Sequence, residues 1–510
     1  MKLPKTHLFG ETDLIYLSTD STAYRPELCE IIRVFFGMAE IATDNDVIDP
    51  APNSDDIILR CNANSGHIFS EGIINGRTVR SEDTYFHCDI AKHGSSPMTV
   101  KKYEKRAMKS ALYRVLKELT GIRPPWGALT GIRPTRLARE LAHNGEDPRS
   151  MLRERFDVSE EKIDLAMTIL EEQRGILASA QEKVFDVYIG IPFCRTRCHY
   201  CSFVAYEVGK GCATTANIED YVIALCKEIE ENIPLALLAG YSPRCLYIGG
   251  GTPTALSTSQ LQQVAEAALK ASGGDFLEFT VEAGRPDTIT IEKLKMLRDL
   301  GVDRISINPQ TMDDETLLRV GRQHTAKDVV TAFETAKKVG FPCINMDTII
   351  GLPGERVKNV QNTMECISKL APENLTVHTL AIKRSSKLKE NLANTPLPTA
   401  HQSEAMLAVA HGAAEAMGMG PYYMYRQKFM RGNLENVGYT LPGFASIYNI
   451  DIMEEQTNIL ALGAGAITKW IQNGGTLIKR VANPKDLNTY FAKLDDRRET
   501  RKRLIFPDKV

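Results

Sequence analysis

Residues 188–203 read YIGIPFCRTRCHYCSF, which places Cys194, Cys198 and Cys201 within eight positions. Three thiols are one short of a closed tetrahedral zinc site and cannot be paired into disulfides. The nearest fourth ligand, His199, sits inside the loop beside Cys198, where reaching the same ion is geometrically poor. A redox thiol pair needs only Cys-x2-Cys. Iron–sulfur chemistry suits the spacing better, because thiolates are the usual ligands of a four-iron cluster. Three of them leave one iron open to a small chelating ligand, by the logic that keeps a catalytic metal's last position vacant.

Outward from this loop, β-rich runs alternate with helical periodicity. The runs are VFDVYIG (184–190), CLYIGG (245–250), FLEFTVE (276–282), DRISIN (303–308), INMDTII (344–350) and LTVHTLA (375–381); SQLQQVAEAALKAS and AKDVVTAFETAKKVG are helical stretches between them. Six strands alternating with helices predict a parallel α/β sheet, open or curled into an incomplete barrel. Right-handed crossovers place every carboxyl end on one rim. The cysteines follow the first strand and GGGTP (249–253) the second. Glu282 ends the third, Gln310 lies just past the fourth, and GLPG (351–354) follows the fifth. That rim is where parallel α/β proteins carry their ligands.

The flanks read differently. Residues 57–86 resemble a β-ribbon with turns at Asn64-Ser65-Gly66 and Asn75-Gly76. A basic helix is expected over Val100–Leu119, and a connecting helix over 155–180. LTGIRP occurs at 119–124 and again at 129–134, as Gly-Pro turns between helices or as a loop whose Arg123 and Arg133 face an anion. From about residue 395 a third segment begins, with a helix, the polar-aromatic PYYMYRQKFMRGNLENVGY (421–439) and the small-residue run ALGAGAITK (461–469). DDRRETRKRL (495–504) mixes acids with bases and reads as a solvated helix face. Domains are therefore expected over 1–180, 181–395 and 396–510.

Bulk properties exclude more than they assign. The 510 residues carry a formal charge of −2 with 43% hydrophobic and 25% charged residues, which gives no electrostatic reason for a nucleic-acid or membrane partner. The start, MKLPKTHLFGETDLIYL, lacks a signal-peptide core, and no long apolar stretch follows. A cytoplasmic protein is expected. The other eight of the eleven cysteines, at 29, 61, 88, 212, 226, 245, 343 and 366, have no ligand-like spacing and are expected as small buried hydrophobes.

With the cysteine loop after the first strand and the glycine run after the second, the sequence resembles the radical S-adenosylmethionine (SAM) superfamily. YIGIPFC…CHYC and IGGGTPT are most similar to the oxygen-independent coproporphyrinogen III dehydrogenases, the HemN group, over roughly 184–470. LTGIRPPWGALTGIRPTRL and PYYMYRQKFMRGNLENVGY look most like the HemZ branch. The resemblance implies a partial (β/α)6 barrel with an α+β N-terminal domain and a small mixed C-terminal domain. It implies a [4Fe-4S] cluster on Cys194, Cys198 and Cys201, whose reducing electron splits SAM into a 5′-deoxyadenosyl radical. Tyr188, Gly250, Glu282 and Ile467 would hold the cluster-bound SAM. Tyr200, Gly251, Thr252, Gln310, Arg322, Asp347 and Ala381 would surround a second SAM molecule. The implied reaction, in haem biosynthesis, decarboxylates two propionates of coproporphyrinogen III, with flavodoxin or ferredoxin as electron donor. Four substrate carboxylates want cations, and Arg426, Lys428 and Arg431, interleaved with Tyr422, Tyr423 and Tyr425, are candidates.

Two positions depart from the family's oxidases. They carry a further cysteine where this chain has Phe203, and a histidine where it has Gly190. A HemW-like haem chaperone shares the phenylalanine but carries a His-Asn…Tyr-Trp motif; LENVGYT supplies only Asn436 and Tyr439. A radical enzyme acting on another tetrapyrrole is the remaining alternative.

Overall fold

The computed structural model describes residues 14–37, 39–43, 56–64, 66–131, 133–180, 183–203, 205–211, 213–383, 386–390, 395–427, 430–472 and 477–507. The described chain forms two compact units, one of residues up to 167 with 426–434, the other of residues 168–425 and 435–510. The first thirteen residues, Ser65, Cys212 and Lys428, and the side chain of Arg431, lie outside the description.

In the second unit the six expected strands form, here β1 (Val184–Ile191), β2 (Ser242–Gly250), β3 (Glu278–Gly284), β4 (Arg304–Ile307), β5 (Cys343–Ile350) and β6 (Asn374–Thr379). Each pairs in parallel with the next in chain order. The strand Asn458–Leu462 adds in parallel along the other side of β1, extending the curl to seven parallel strands. Gly420–Tyr425 and Asn436–Thr440 pair antiparallel at the β6 edge, and Ile467–Gln472 and Leu477–Ala482 at the opposite one. Along β1 six of eight residues are buried, as expected of a strand covered on both faces.

The helices between strands are fixed by local chemistry. In Ala326–Val339 the buried residues Val329, Ala332, Phe333 and Ala336 recur every three or four positions, one stripe turned to the sheet. Thr325 and Asp328 form a reciprocal capping box at its start, and Gly340 ends it at φ +91°. Burying Phe333 alone contributes about 2–3 kcal/mol, so Phe333→Asp would detach the helix. Ser257 and Gln260 cap Thr258–Ser272 in the same way.

The first unit is α+β. Its five strands run in the order 41–43, 15–18, 57–64, 67–74, 77–82, under the helices Arg25–Phe36 and Pro97–Thr120. The ribbon turns at Asn75 and Gly76, both at positive φ, as a primed hairpin turn requires. The connecting helix is Glu160–Ala178. Arg123 meets an anion of its own unit, Asp157 at 2.8 Å, so the first LTGIRP copy is a stapled turn.

Three expectations are corrected. Arg501, in the supposedly solvated helix Leu494–Ile505, is fully buried against Glu228 at 2.8 Å. Arg426 is buried too, donating to the carbonyls of Leu129 and Asn433 and lying over Trp126; Tyr422 and Tyr423 are core residues. These three hold structure and do not offer themselves to a substrate. Cys88, by contrast, is exposed. Among the described residues no helix is long and apolar enough to cross a membrane.

Candidate active site

The cysteine loop leaves β1 and is pinned by groups that the sequence pattern did not single out. Arg285, buried just past β3, donates from Nη1 to the carbonyl of Thr196 at 3.0 Å and its hydroxyl at 2.7 Å. Its other face forks onto Asp287, Nε–Oδ1 2.9 Å and Nη2–Oδ2 3.1 Å. Arg195 donates to the Asp287 carbonyl at 2.8 Å. His199 is engaged elsewhere, its backbone N–H on the Val320 carbonyl at 3.0 Å and its ring Nδ1 against the Arg319 carbonyl at 3.1 Å. VEAGRPD contains Arg285 and Asp287, and an arginine next to Pro-Asp was the available signal; nothing in the sequence says which loop it would reach.

The three thiols are free and lie close enough for their charges to interact. Burial, and then the other two thiols, pushes Cys194 up to about 11 despite its contact with Thr252 Oγ1 at 3.4 Å. Metal binding is the usual way a protein relieves such crowding, since iron favours the thiolates. Arg322, also buried, contacts Cys198 Sγ at 3.8 Å, donates to Tyr200 Oη at 3.2 Å and to the Asn308 carbonyl at 2.6 Å. Tyr200 packs with Leu352 and Leu380, which ties the loop to the segments after β5 and β6.

The glycine run presses its backbone onto the first strand. The N–H of Gly251 reaches the Ile191 carbonyl at 2.7 Å, and that of Thr252 the Phe193 carbonyl at 2.8 Å. A Cβ on Gly251 would lie 2.6 Å from the Phe193 oxygen, and Gly250 stands at φ +106°. Only glycine fits both positions. The Gly250 N–H donates to Glu282 Oε2 at 3.2 Å, and Tyr247 donates to the other carboxylate oxygen. Burial, and the charge of Asp347, outweigh these bonds and lift Glu282 from its ordinary 4.5 to about 7. Tyr247 and Tyr448 stack on each other at 4.3 Å, and Tyr188 lies nearly parallel beside both, with ring separations of 6.1 and 6.3 Å.

Asp347 is half-buried; desolvation alone would raise its carboxyl, yet His378, Asn345 and Thr376 hold it below the ordinary range. Asn345 donates to it at 2.7 Å, and His378 Nε2 lies 3.8 Å away. Gln310 is fixed to β5 by a two-way backbone bridge, its N–H on the Asp347 carbonyl and its carbonyl taking the Ile349 N–H, both 2.9 Å, at φ +67°. Strain at a non-glycine residue of this kind collects at ligand sites. Gln310 Oε1 and Asn308 Oδ1 are both buried without a hydrogen-bond partner. Buried polar atoms are rarely left so unless something else satisfies them.

The structure thus brings Cys194, Cys198, Cys201, Tyr200, Gly250, Gly251, Thr252, Glu282, Gln310, Arg322 and Asp347 onto one rim, with Tyr188 beneath them. Ala381 is half-buried just past β6, and Ile467 begins its strand 46% exposed. The donor set fits the cluster and SAM: three thiols of one loop whose charges interact, a cradle that a Cβ would fill, and two unmet amide oxygens.

The family model described as the Radical SAM superfamily matches residues 188–367. Over 482 residues, 92% of this chain and 93% of the relative, the sequence is 36% identical to the oxygen-independent coproporphyrinogen-III oxidase-like protein HemZ of Bacillus subtilis. It is 34% identical over 256 residues, 49% of this chain and 65% of the relative, to the heme chaperone HemW of the same organism. Among solved structures, the coproporphyrinogen III oxidase HemN from Escherichia coli superposes with a TM-score of 0.49 at 22% identity, covering 64% of this chain and 73% of that one.

Proposed function

Because the chain belongs to the radical SAM superfamily, in its HemN-like family and HemZ branch, we propose that it decarboxylates two propionate side chains of coproporphyrinogen III to vinyl groups without oxygen. When bound, the [4Fe-4S] cluster and SAM would supply a carbon-centred radical that takes a hydrogen atom from the propionate β-carbon; carbon dioxide then leaves and the remaining electron passes to an external one-electron acceptor. The chain's own residues do the rest. Cys194, Cys198 and Cys201 would hold the cluster, and Arg285 and Asp287 keep their loop in place. Glu282 and the Gly250 backbone would orient one SAM molecule; Arg322, Gln310 and Asp347 would take the carboxylate and polar groups of a second. The buried tyrosines around Tyr188 exclude water, which protects a radical from side reactions. An acidic one-electron carrier, flavodoxin or ferredoxin, would feed the cluster.

The observation that carries enzyme over chaperone is the fate of Asn436 and Tyr439. They are the two residues left of the chaperones' haem motif, and both are buried in the sheet. Asn436 Oδ1 accepts the Thr379 N–H at 2.7 Å, and Tyr439 is 2% exposed. Neither offers itself to haem. One observation favours the chaperone: Phe203, 69% exposed, stands where the oxidases have cysteine. Anaerobic incubation with SAM, a reductant and coproporphyrinogen III separates the two. Vinyl product with carbon dioxide release is expected; stoichiometric haem binding without turnover would overturn the proposal.

A further inference from the structure

The amino-terminal half of the barrel contains a second cluster of ligating side chains. Asp186 lies on β1, Cys245 on β2 and Asp451 on the helix Ile447–Glu454. All three are fully buried, and their ligand atoms lie within 4.8 Å of one another. They meet because β1 and β2 slip register between Phe185 and Val187. Phe185 faces Pro243 and Val187 faces Leu246, so Arg244 and Cys245 together oppose the single residue Asp186. Such a bulge re-aims side chains and is over-represented beside functional sites.

The cluster is poorly satisfied by the protein itself. Neither carboxylate oxygen of Asp186 meets a hydrogen-bond donor in acceptable geometry. Asp451 is held by an ion pair with Arg244 Nε at 2.9 Å, Arg244 being buried as well. A further unpartnered group lies beside the cluster: the Tyr448 hydroxyl, on a residue 3% exposed that packs on Cys245, has no hydrogen-bond partner and feels the charges of Tyr188, Asp186, Glu282 and Cys245. One arginine cannot neutralise two carboxylates. Burial, followed by the charge of Asp451, accordingly drives the Asp186 carboxyl well above its ordinary range. Either a proton or a cation must supply the missing charge.

We propose that Asp186, Cys245 and Asp451 form a structural site for one zinc ion, separate from the cysteine rim. A mixed carboxylate and thiolate set suits this borderline cation, and the two unpartnered oxygens of Asp186 let three residues supply the four ligand atoms that three thiols cannot. Bonds of about 2.0–2.3 Å put tetrahedral ligands about 3.3–3.8 Å apart, so the side chains need only contract. Three ionised ligands, the Arg244 guanidinium and a dication cancel, the condition a water-free core demands. The ion would be taken up as the chain folds, because no solvent reaches the finished site. It would pin the helix Ile447–Glu454 to the first two strands, directly beneath the Tyr188–Tyr247–Tyr448 stack.

The test uses the full chain with Cys194, Cys198 and Cys201 all replaced by alanine, so that the rim cannot take zinc. After gel filtration through a chelator, elemental analysis should find about one zinc per chain. Asp186→Asn in that background should drop it below a tenth, with far-ultraviolet circular dichroism unchanged. Should Asp186→Asn fail to fold, Cys245→Ser replaces it, keeping the volume but removing the soft ligand. Cobalt offered during refolding should then show a thiolate charge-transfer band that Cys245→Ser removes. A natively folded chain without zinc or cobalt overturns the proposal and leaves a shared proton between the two carboxylates. Zinc retained in both variants overturns it equally, by placing the ion elsewhere.

Discussion

Two buried polar clusters sit in the same barrel, and they are built on opposite terms. Around Arg501 every demand is met internally: Glu228 takes Gly463 N–H, Tyr490 Oη and Asn483 Nδ2, each at 2.8 Å, while Arg501 reaches Glu228, Asn483, Asn232, Thr468 and the Ala461 carbonyl. On the cysteine rim Asn308 and Gln310 keep buried oxygens with no partner, Gln310 adopts a strained backbone, and three thiols of one loop raise one another's cost of ionising. A network that satisfies itself fixes the fold, whereas one left incomplete in the protein alone awaits a ligand. Arg501 joins the last described helix to Glu228 on the helix Thr215–Leu238. The rim closes only on its cofactors.

The contrast breaks most visibly at the rim's ligands. Cys198→Ala should lower 5′-deoxyadenosine formation by about a thousandfold or more and reduce bound iron, with an unchanged circular dichroism spectrum. Retained deoxyadenosine formation would refute the ligand assignment. At the satisfied cluster the outcome reverses. Arg501→Ala strands the Glu228 charge and should cost about 3–5 kcal/mol, with little change in turnover per folded molecule. Trp470, buried in this unit, reports the melt once the other tryptophan, Trp126, is replaced by phenylalanine. A melt that barely moves would mean that Glu228 is satisfied without its arginine.

Smaller changes sharpen the same comparison. Gln310→Ala removes an oxygen that bonds to nothing, so stability should shift by less than about 0.5 kcal/mol. SAM affinity, read by equilibrium dialysis, should fall about tenfold. A loss of stability with unchanged affinity would reassign Gln310 to structure. The subtlest effect is in pH. Glu282 is raised from 4.5 to about 7, so the stability contributed by its protonated form is complete below about 4.5 and lost as pH rises through 7. Binding runs the other way, because ribose hydroxyls or an ammonium need the carboxylate. SAM affinity should therefore strengthen as pH rises through 7, falling up to about tenfold per unit below it, and Glu282→Gln should flatten the profile. A wild-type profile as flat as the variant's would remove Glu282 from the binding site.

What the sequence made legible was what a local pattern can carry. Six β-rich runs announced six strands, and Cys194, Cys198 and Cys201 could be placed on the loop that follows the first of them. Gly249–Gly251 marked a close backbone approach, and Asn75-Gly76 a hairpin turn. What stayed hidden depends on partners far apart in the chain. Arg285 secures a loop 89 residues away through Thr196, and Arg501, in the last described helix, meets Glu228 in the helix that follows β1. Its surroundings in the sequence, DDRRETRKRL, say surface, and tertiary pairing overrides them. Arg426 looked like a substrate contact for the same reason, since a cation among tyrosines reads alike whether it faces a ligand or a carbonyl. The meeting of Asp186, Cys245 and Asp451 depends on a single slipped register that no composition reveals.

The central claim is that the rim is incomplete without a cluster and that SAM completes it. Electron paramagnetic resonance of the anaerobically reconstituted, one-electron-reduced protein tests this most directly. A four-iron signal that changes shape on adding SAM, and that Cys198→Ala lacks, is the expected result. A site that takes zinc instead of iron, or a four-iron signal indifferent to SAM, would contradict it.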